Sequence, residues 1–432
     1  MDFNHTMQTE YQKACEQFYG TNPVNANQVG YDPVNVPGLH AVNPADENEF
    51  RYIEYIRNQV ATNLRRGHEL AIKHLSRPVV PTSQDPTRQA VNMLVVDKIW
   101  GQISRNSLYN FYTQDSLQEL VNRVCMHDYR CFQREWGIQN IDVATDLALI
   151  AMYDVILIGD DSGSMSTTDR GEQTSRWERL KLLVQTISFW TTLMDDDGID
   201  VRMFNTDIGN DGNNIGSPQS VDQLFKLCRP GGITPMGESI MRTIKEKKIF
   251  EKVDKKKLKK PVLFLIITDG TPTNKRAVTD AITQCRAKVK DSRYKRRAIA
   301  FGFCQVGKDK SAQEWLNEID EDSKIGNSID CTSEYAEEYK EFQEKGNQLT
   351  PGTYVAKMLL GPINSLYDKA DEETAEGSDF YSPFVAPPYY VMPQFVQPSA
   401  PPMVQSDQQY MVTGKSTSQY AQGSFASQPY LL

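Results

Sequence analysis

The chain has 432 residues, of which 24% are charged and 39% hydrophobic, and a formal net charge of −9. That length allows two or three domains, and the composition is that of a soluble globular chain with polar tails. The acidic balance leaves no phosphate-neutralising surplus, which excludes a general nucleic-acid binder. No apolar run is long enough to span a membrane.

The segment 1–48 is rich in Asn, Pro, Gly and Tyr without a sustained period. It reads as irregular, with a short helix near Tyr11–Phe18. Its start, Met1 to Met7, lacks the basic and apolar regions of a signal peptide. Seven scattered cysteines without a C-x-x-C pair read as reduced thiols, the usage expected of a cytoplasmic protein.

From Asn48 to Ser76 the apolar residues Phe50, Ile53, Ile56, Val60 and Leu64 keep helical spacing. The prolines between Arg77 and Pro86 make a linker. Further helices are expected over Thr87–Ser104, Asp115–Arg134 and Asp142–Met152, so that 49–150 forms a helical region. Cys125, His127 and Cys131 fall within the third, but residues two apart on a helix do not share a face, so the trio reads as packing and not as a metal site.

Strands then alternate with helices. Val155–Gly159, Val201–Phe204, Pro261–Asp269, Ala298–Val306 and Ser328–Cys331 are expected strands. Ser175–Met194, Val221–Cys228, Met236–Lys248, Asn274–Lys290, Ala312–Ile319 and a helix from Thr353 to Leu360 are the intervening elements. The alternation predicts an α/β fold, a doubly wound and mostly parallel sheet spanning 151–368. The acidic turn Asp195–Asp197 before Gly198 reads as a helix stop. The run Lys255–Lys260 reads as a solvated connection into a buried strand. From 369 to 432 the composition shifts to Pro, Gln, Tyr and Ser, too poor in apolar surface to offset ordering entropy, and a disordered tail is expected.

Chemistry concentrates at two strand ends. The strand Val155–Gly159 runs into Asp160, Ser162 and Ser164, short oxygen ligands at alternate positions, with Gly163 letting the backbone bend. A carboxylate plus two hydroxyls suits a hard cation that keeps several waters. Thr234 follows Gly231 and Gly232 in a turn, and Asp269 ends the strand from Pro261. In an open parallel sheet, ligands gather outside the carboxyl ends of the strands. No histidine lies beyond His127, so the commonest general base is missing from this half of the chain.

The order Asp-x-Ser-x-Ser, then Thr, then Asp resembles the metal-ion-dependent adhesion site of the von Willebrand factor A (vWA) family. The ending with Gln305–Asp309, Trp315, Ile319–Asp322 and Met358–Gly361 is similar to that of intracellular eukaryotic vWA proteins. The resemblance covers about half of the chain and implies that Asp160, Ser162 and Ser164 bind a metal directly. Thr234 would bind directly or through water, and Asp269 mostly through water. Mg²⁺ is the expected ion, and Mn²⁺ or Ca²⁺ fit the same oxygens. The family implies a partner protein whose exposed Asp or Glu completes the coordination.

Two tail motifs add a second expected surface. Pro387, Pro388 and Tyr390 fit the PPxY pattern of ligands for WW domains, including those of ubiquitin ligases. Pro398, Ser399, Ala400 and Pro401 are similar to the motif bound by ESCRT-I. The expectation is a non-enzymatic, metal-dependent adaptor. The alternatives are a Mg²⁺-dependent hydrolase or phosphoryl-transfer enzyme, and a structural spacer whose function lies in the tail. The enzyme reading lacks a G-x-x-x-x-G-K-[ST] loop, an Asp-x-Asp turn and a nearby histidine.

Overall fold

A computed structural model describes residues 75–138, 140–344, 347–364 and 367. The segment 1–48, the tail 369–432 with both of its motifs, and all but the last two residues of the predicted helix Asn48–Ser76 lie outside the described residues. Those last two, Leu75 and Ser76, are not helical.

Five parallel strands form the centre: β1 (Asp154–Gly159), β2 (Asp200–Met203), β3 (Val262–Thr268), β4 (Ile299–Gln305) and β5 (Ile329–Thr332). Their spatial order is β2-β1-β3-β4-β5, and every neighbouring pair is parallel. β3 and β4 are buried along their whole length, which is why they read as near-continuous apolar runs and not as alternating ones. Successive residues point to opposite faces, so Val155, Leu157, Leu263 and Leu265 join one core, and Ile156, Ile158, Phe264 and Phe301 join another.

Helices cover both faces. The second core is closed by α7 (Met236–Glu246), α8 (Ile249–Asp254), α9 (Lys275–Lys290) and α10 (Lys310–Asp320). On the first face lie α5 (Arg176–Met194), α12 (Pro351–Leu360) and the chain before the sheet: α1 (Pro86–Arg105), α2 (Gln114–Val124), α3 (Arg130–Trp136) and α4 (Ile141–Asp146). Trp136 of α3 stands edge-on to Trp190 of α5 at 5.1 Å. Gln102 of α1 donates to the Tyr153 hydroxyl at 3.0 Å and to the Ile363 carbonyl at 2.7 Å. The helices that precede the sheet therefore share its core. Two short helices complete the set, α6 (Pro218–Leu227) after β2 and α11 (Tyr335–Glu344) after β5.

The expected α/β doubly wound sheet is what forms, with local differences. The helix predicted over Asp115–Arg134 is two, because Asp128 Oδ1 accepts from the Arg130 amide and its Nε and closes a turn in place of the helix ladder. The stretch Asp142–Met152 begins as α4 and tightens into a 3₁₀ run over Leu147–Met152. Lys248, in the left-handed region at φ 53°, separates α7 from α8. α11 has no counterpart among the predicted elements. The acidic turn at Asp195 is paired with Lys260 and Arg123. In the lysine run, Lys255–Lys257 and Lys259 are exposed while Leu258 is buried.

β2 is an outer strand. Beyond it Ile199 and Ile215 form an antiparallel bridge, and the turn Gly209–Gly212 lies so close that a Cβ on Gly212 would collide with the Val201 carbonyl oxygen. The Arg202 guanidinium donates to that same oxygen at 2.7 Å. Among the described residues, no helix is long and apolar enough to cross a membrane.

Candidate functional site

The strand order reverses direction between β1 and β3: the chain moves outward to β2 on one side and to β4 and β5 on the other. A crevice opens at such a switch point, outside the carboxyl ends of the two strands. Asp160 is the first residue after β1, and Asp269 the first after β3. Both are fully buried.

Four of the five predicted residues meet there. Asp160 Oδ1 accepts the Ser162 amide at 2.7 Å, which bends the chain back over the strand end. The Ser162 and Ser164 hydroxyls lie 3.0 Å apart, and Ser164 donates to Asp269 Oδ1 at 2.8 Å. Thr234 comes alongside through its backbone. Gly163 donates to the Gly232 carbonyl at 3.3 Å, and Thr234 exchanges bonds with Thr273, its amide donating to Oγ1 and its carbonyl accepting the Thr273 amide.

Burial pushes the Asp160 carboxyl up to about 6, against the pull of the Thr268 and Ser162 hydroxyls, and Asp269 adds to the rise. The site is thus a cluster of oxygens, buried at Asp160, Ser162 and Asp269 and open to solvent at Ser164. Neighbouring ligands of an octahedral ion held at 2.0–2.1 Å stand about 3 Å apart. The serine–serine and serine–aspartate spacings have that size, so Asp160, Ser162, Ser164 and Asp269 fit a small hard cation. No group of three or more His, Cys, Asp or Glu side chains suited to a metal occurs among the described residues. A cation at this site would therefore lean on hydroxyls and water.

Several residues of the site went unnoticed in the sequence. Thr268, the last residue of β3, donates to Asp160 Oδ2 at 2.6 Å. Asp161, fully buried, accepts from the Asn205 and Thr206 amides at 2.7 and 2.9 Å and from the Thr206 hydroxyl at 2.6 Å. Its own carbonyl accepts the Gly231 amide at 2.7 Å. Asp161 thereby ties the loop after β1 to the loop after β2 and to the Thr234 turn. Arg176 donates to Asp269 Oδ2 at 2.8 Å and grips Asp169 through Nε and NH2. Asp169 also accepts from Arg179. Burial alone would raise the Asp169 carboxyl, but the two guanidiniums hold it below the usual carboxylate range.

No family model and no curated protein sequence matches the chain. Among solved structures it is similar to the manganese-loaded Plasmodium vivax TRAP protein, at 16% sequence identity and a TM-score of 0.28, over 43% of this chain and 69% of that one.

Proposed function

We propose that this protein is a metal-ion-dependent protein-binding adaptor of the vWA type. The observation that carries the reading is the convergence of Asp160, Ser162, Ser164 and Asp269 at the switch point, with oxygen spacings of 2.8 and 3.0 Å. Two carboxylates leave a divalent ion close to neutral, and hydroxyl and water ligands donate little charge. The ion stays electrophilic and takes an outside oxygen, for which a partner's Asp or Glu carboxylate is the fitting group. Mg²⁺ and Mn²⁺ suit the spacings better than the longer-bonded Ca²⁺. The Pro387–Tyr390 and Pro398–Pro401 motifs serve as a second docking surface, for WW-domain ubiquitin ligases and ESCRT-I.

The chemistry favours binding over catalysis. Asp269 is the carboxylate positioned to accept a proton from Ser164, but its other oxygen is already held by the Arg176 guanidinium. Calorimetric titration of Mg²⁺ and Mn²⁺ into the full chain tests the reading, with Asp160→Asn as the partner variant. Asparagine preserves the shape and the bond to the Ser162 amide while removing the charge. Binding in the wild type alone is expected. Equal binding in both, or none in a folded wild type, refutes the metal site. For the tail, a peptide spanning Ser382–Gln405 should bind a WW domain and an ESCRT-I UEV domain more tightly than a scrambled control.

A further inference from the structure

Arg176 stands where a simple cation site would have no positive charge. It opens α5, the end of a helix where the backbone dipole already disfavours a cation. Its guanidinium is one-tenth exposed and shared between two carboxylates, Asp269 Oδ2 at 2.8 Å and Asp169, held bidentately. Space for it is made by Gly307, at φ +88° in the loop after β4, where a Cβ would collide with Arg176 Nε. Behind Asp169 comes Arg179, which in turn lies 3.7 Å from Glu334 after β5. Charges therefore alternate from the site across the top of the sheet: Asp269, Arg176, Asp169, Arg179, Glu334.

We infer that Arg176 is a positioning residue that sets the strength of the cation site through Asp269. The inference rests on the proposed metal-binding reading. The guanidinium occupies one oxygen of Asp269 and leaves only Oδ1 turned to Ser164 and the ion. It also places a positive charge one carboxylate away from the cation. Both effects weaken cation binding and keep a bound ion poor in electron density, ready for an outside carboxylate. Asp169 compensates Arg176 and moderates this effect. Arg179 competes for Asp169 and so works in the same direction as Arg176.

The alternation gives each substitution its own sign. Arg176→Gln, whose amide nitrogen takes the place of Nε beside Asp169 and leaves Asp269 Oδ2 without its cationic donor, should tighten Mg²⁺ binding by about tenfold, as expected for removal of a unit charge near a divalent ion in a partly screened site. Arg179→Gln, which touches no ligand, should tighten it by a smaller factor, about two- to threefold for the greater distance. Asp169→Asn should weaken it, and Arg176→Lys should restore binding close to wild type.

The experiment is calorimetric titration of Mg²⁺ into each full-length variant, beside the melting temperature with and without EDTA. Damage to the scaffold would weaken binding in all three neutralising variants, whereas the charge relay tightens two and weakens one. Unchanged or weaker binding in Arg176→Gln or Arg179→Gln overturns the inference. Should Arg176→Gln fail to fold, Arg179→Gln against Asp169→Asn decides by the same opposition of sign. Absence of binding in the folded wild type would refute the metal site itself. Binding in the wild type without the sign pattern would refute only the role of Arg176.

Discussion

At the scale of single residues, two half-buried ionisable groups make opposite demands on pH. Burial pushes His127 down to about 4 against an ordinary 6.5, and pushes Asp154, at the start of β1, up to about 6 from 3.8. The folded chain resists protonation of His127, so that contribution to stability is full above pH 6.5 and is lost as pH falls towards 4. Asp154 is the reverse: the folded chain prefers it protonated, so its contribution is full below 3.8 and is lost as pH rises through 6. Asp160, also raised to about 6, adds a second slope of the Asp154 sign, so the carboxylates outweigh His127 between pH 4 and 6. His127→Gln should steepen the fall in stability as pH rises, and Asp154→Asn should flatten it, the His127 slope then opposing that of Asp160 alone. Each slope amounts to on the order of 2 kcal/mol. Urea midpoints at pH 4.5 and 6.5 measure both, and parallel profiles for the two variants would refute the assignment.

The same scale explains what could be read of the site in the sequence. Asp160 and Asp269 announce themselves because each ends an apolar strand, and a strand end is a place with a direction. Arg176 does not, because one of its two carboxylates is 93 residues away. The signal it did leave is local: Ser175 and Glu178 form a capping box, their side chains and amides bonded reciprocally, which fixes the start of α5 and puts Arg176 in its first turn. Asp161 shows the limit of spacing arguments. It sits beside Asp160 in the chain, yet its carboxylate holds loops together and does not point at the site oxygens.

At the scale of elements, the loops that carry Thr234 and Asp269 are each followed by a helix, α7 and α9, and the contact between those helices spaces the loops. Gly237, the second residue of α7, lies where a Cβ would collide with the backbone of Ala277 in α9. Gly237→Ala should force the helices apart and cost about 2–3 kcal/mol, the range of overpacked cores, despite alanine's better helix propensity. Denaturant unfolding tests this, and a neutral or stabilising result would mean the helices slide freely. Element types were legible from apolar periodicity throughout the sheet. Element ends were less so, because side-chain bonds such as that of Asp128 to Arg130 divide a periodic stretch without changing its period.

At the scale of the molecule, the helices before the sheet belong to its core. Ile99, Ile103, Val121, Phe132 and Trp136 are all at least 99% buried in the cluster that also holds Leu157 and Leu265. Each large apolar side chain of this kind stabilises by about 1.5–3 kcal/mol, and a domain has only about 5–15 kcal/mol in total. A fragment of residues 140–370 should therefore fail to unfold cooperatively, while the full chain should lose near-ultraviolet circular dichroism and tryptophan fluorescence in one coincident transition. Cooperative unfolding of the fragment would show that the sheet and its own helices suffice.

The crowded flank of β2 has a consequence for how anything can attach to this protein. An open strand edge is a template on which a foreign strand, or another copy, can lengthen the sheet. Here the Ile199–Ile215 bridge, the turn against Val201 and the Arg202 guanidinium take that position first. Sideways growth into a fibre is blocked on this flank, and a visitor that comes from this side meets the sheet at its strand ends, where Asp160 and Asp269 lie.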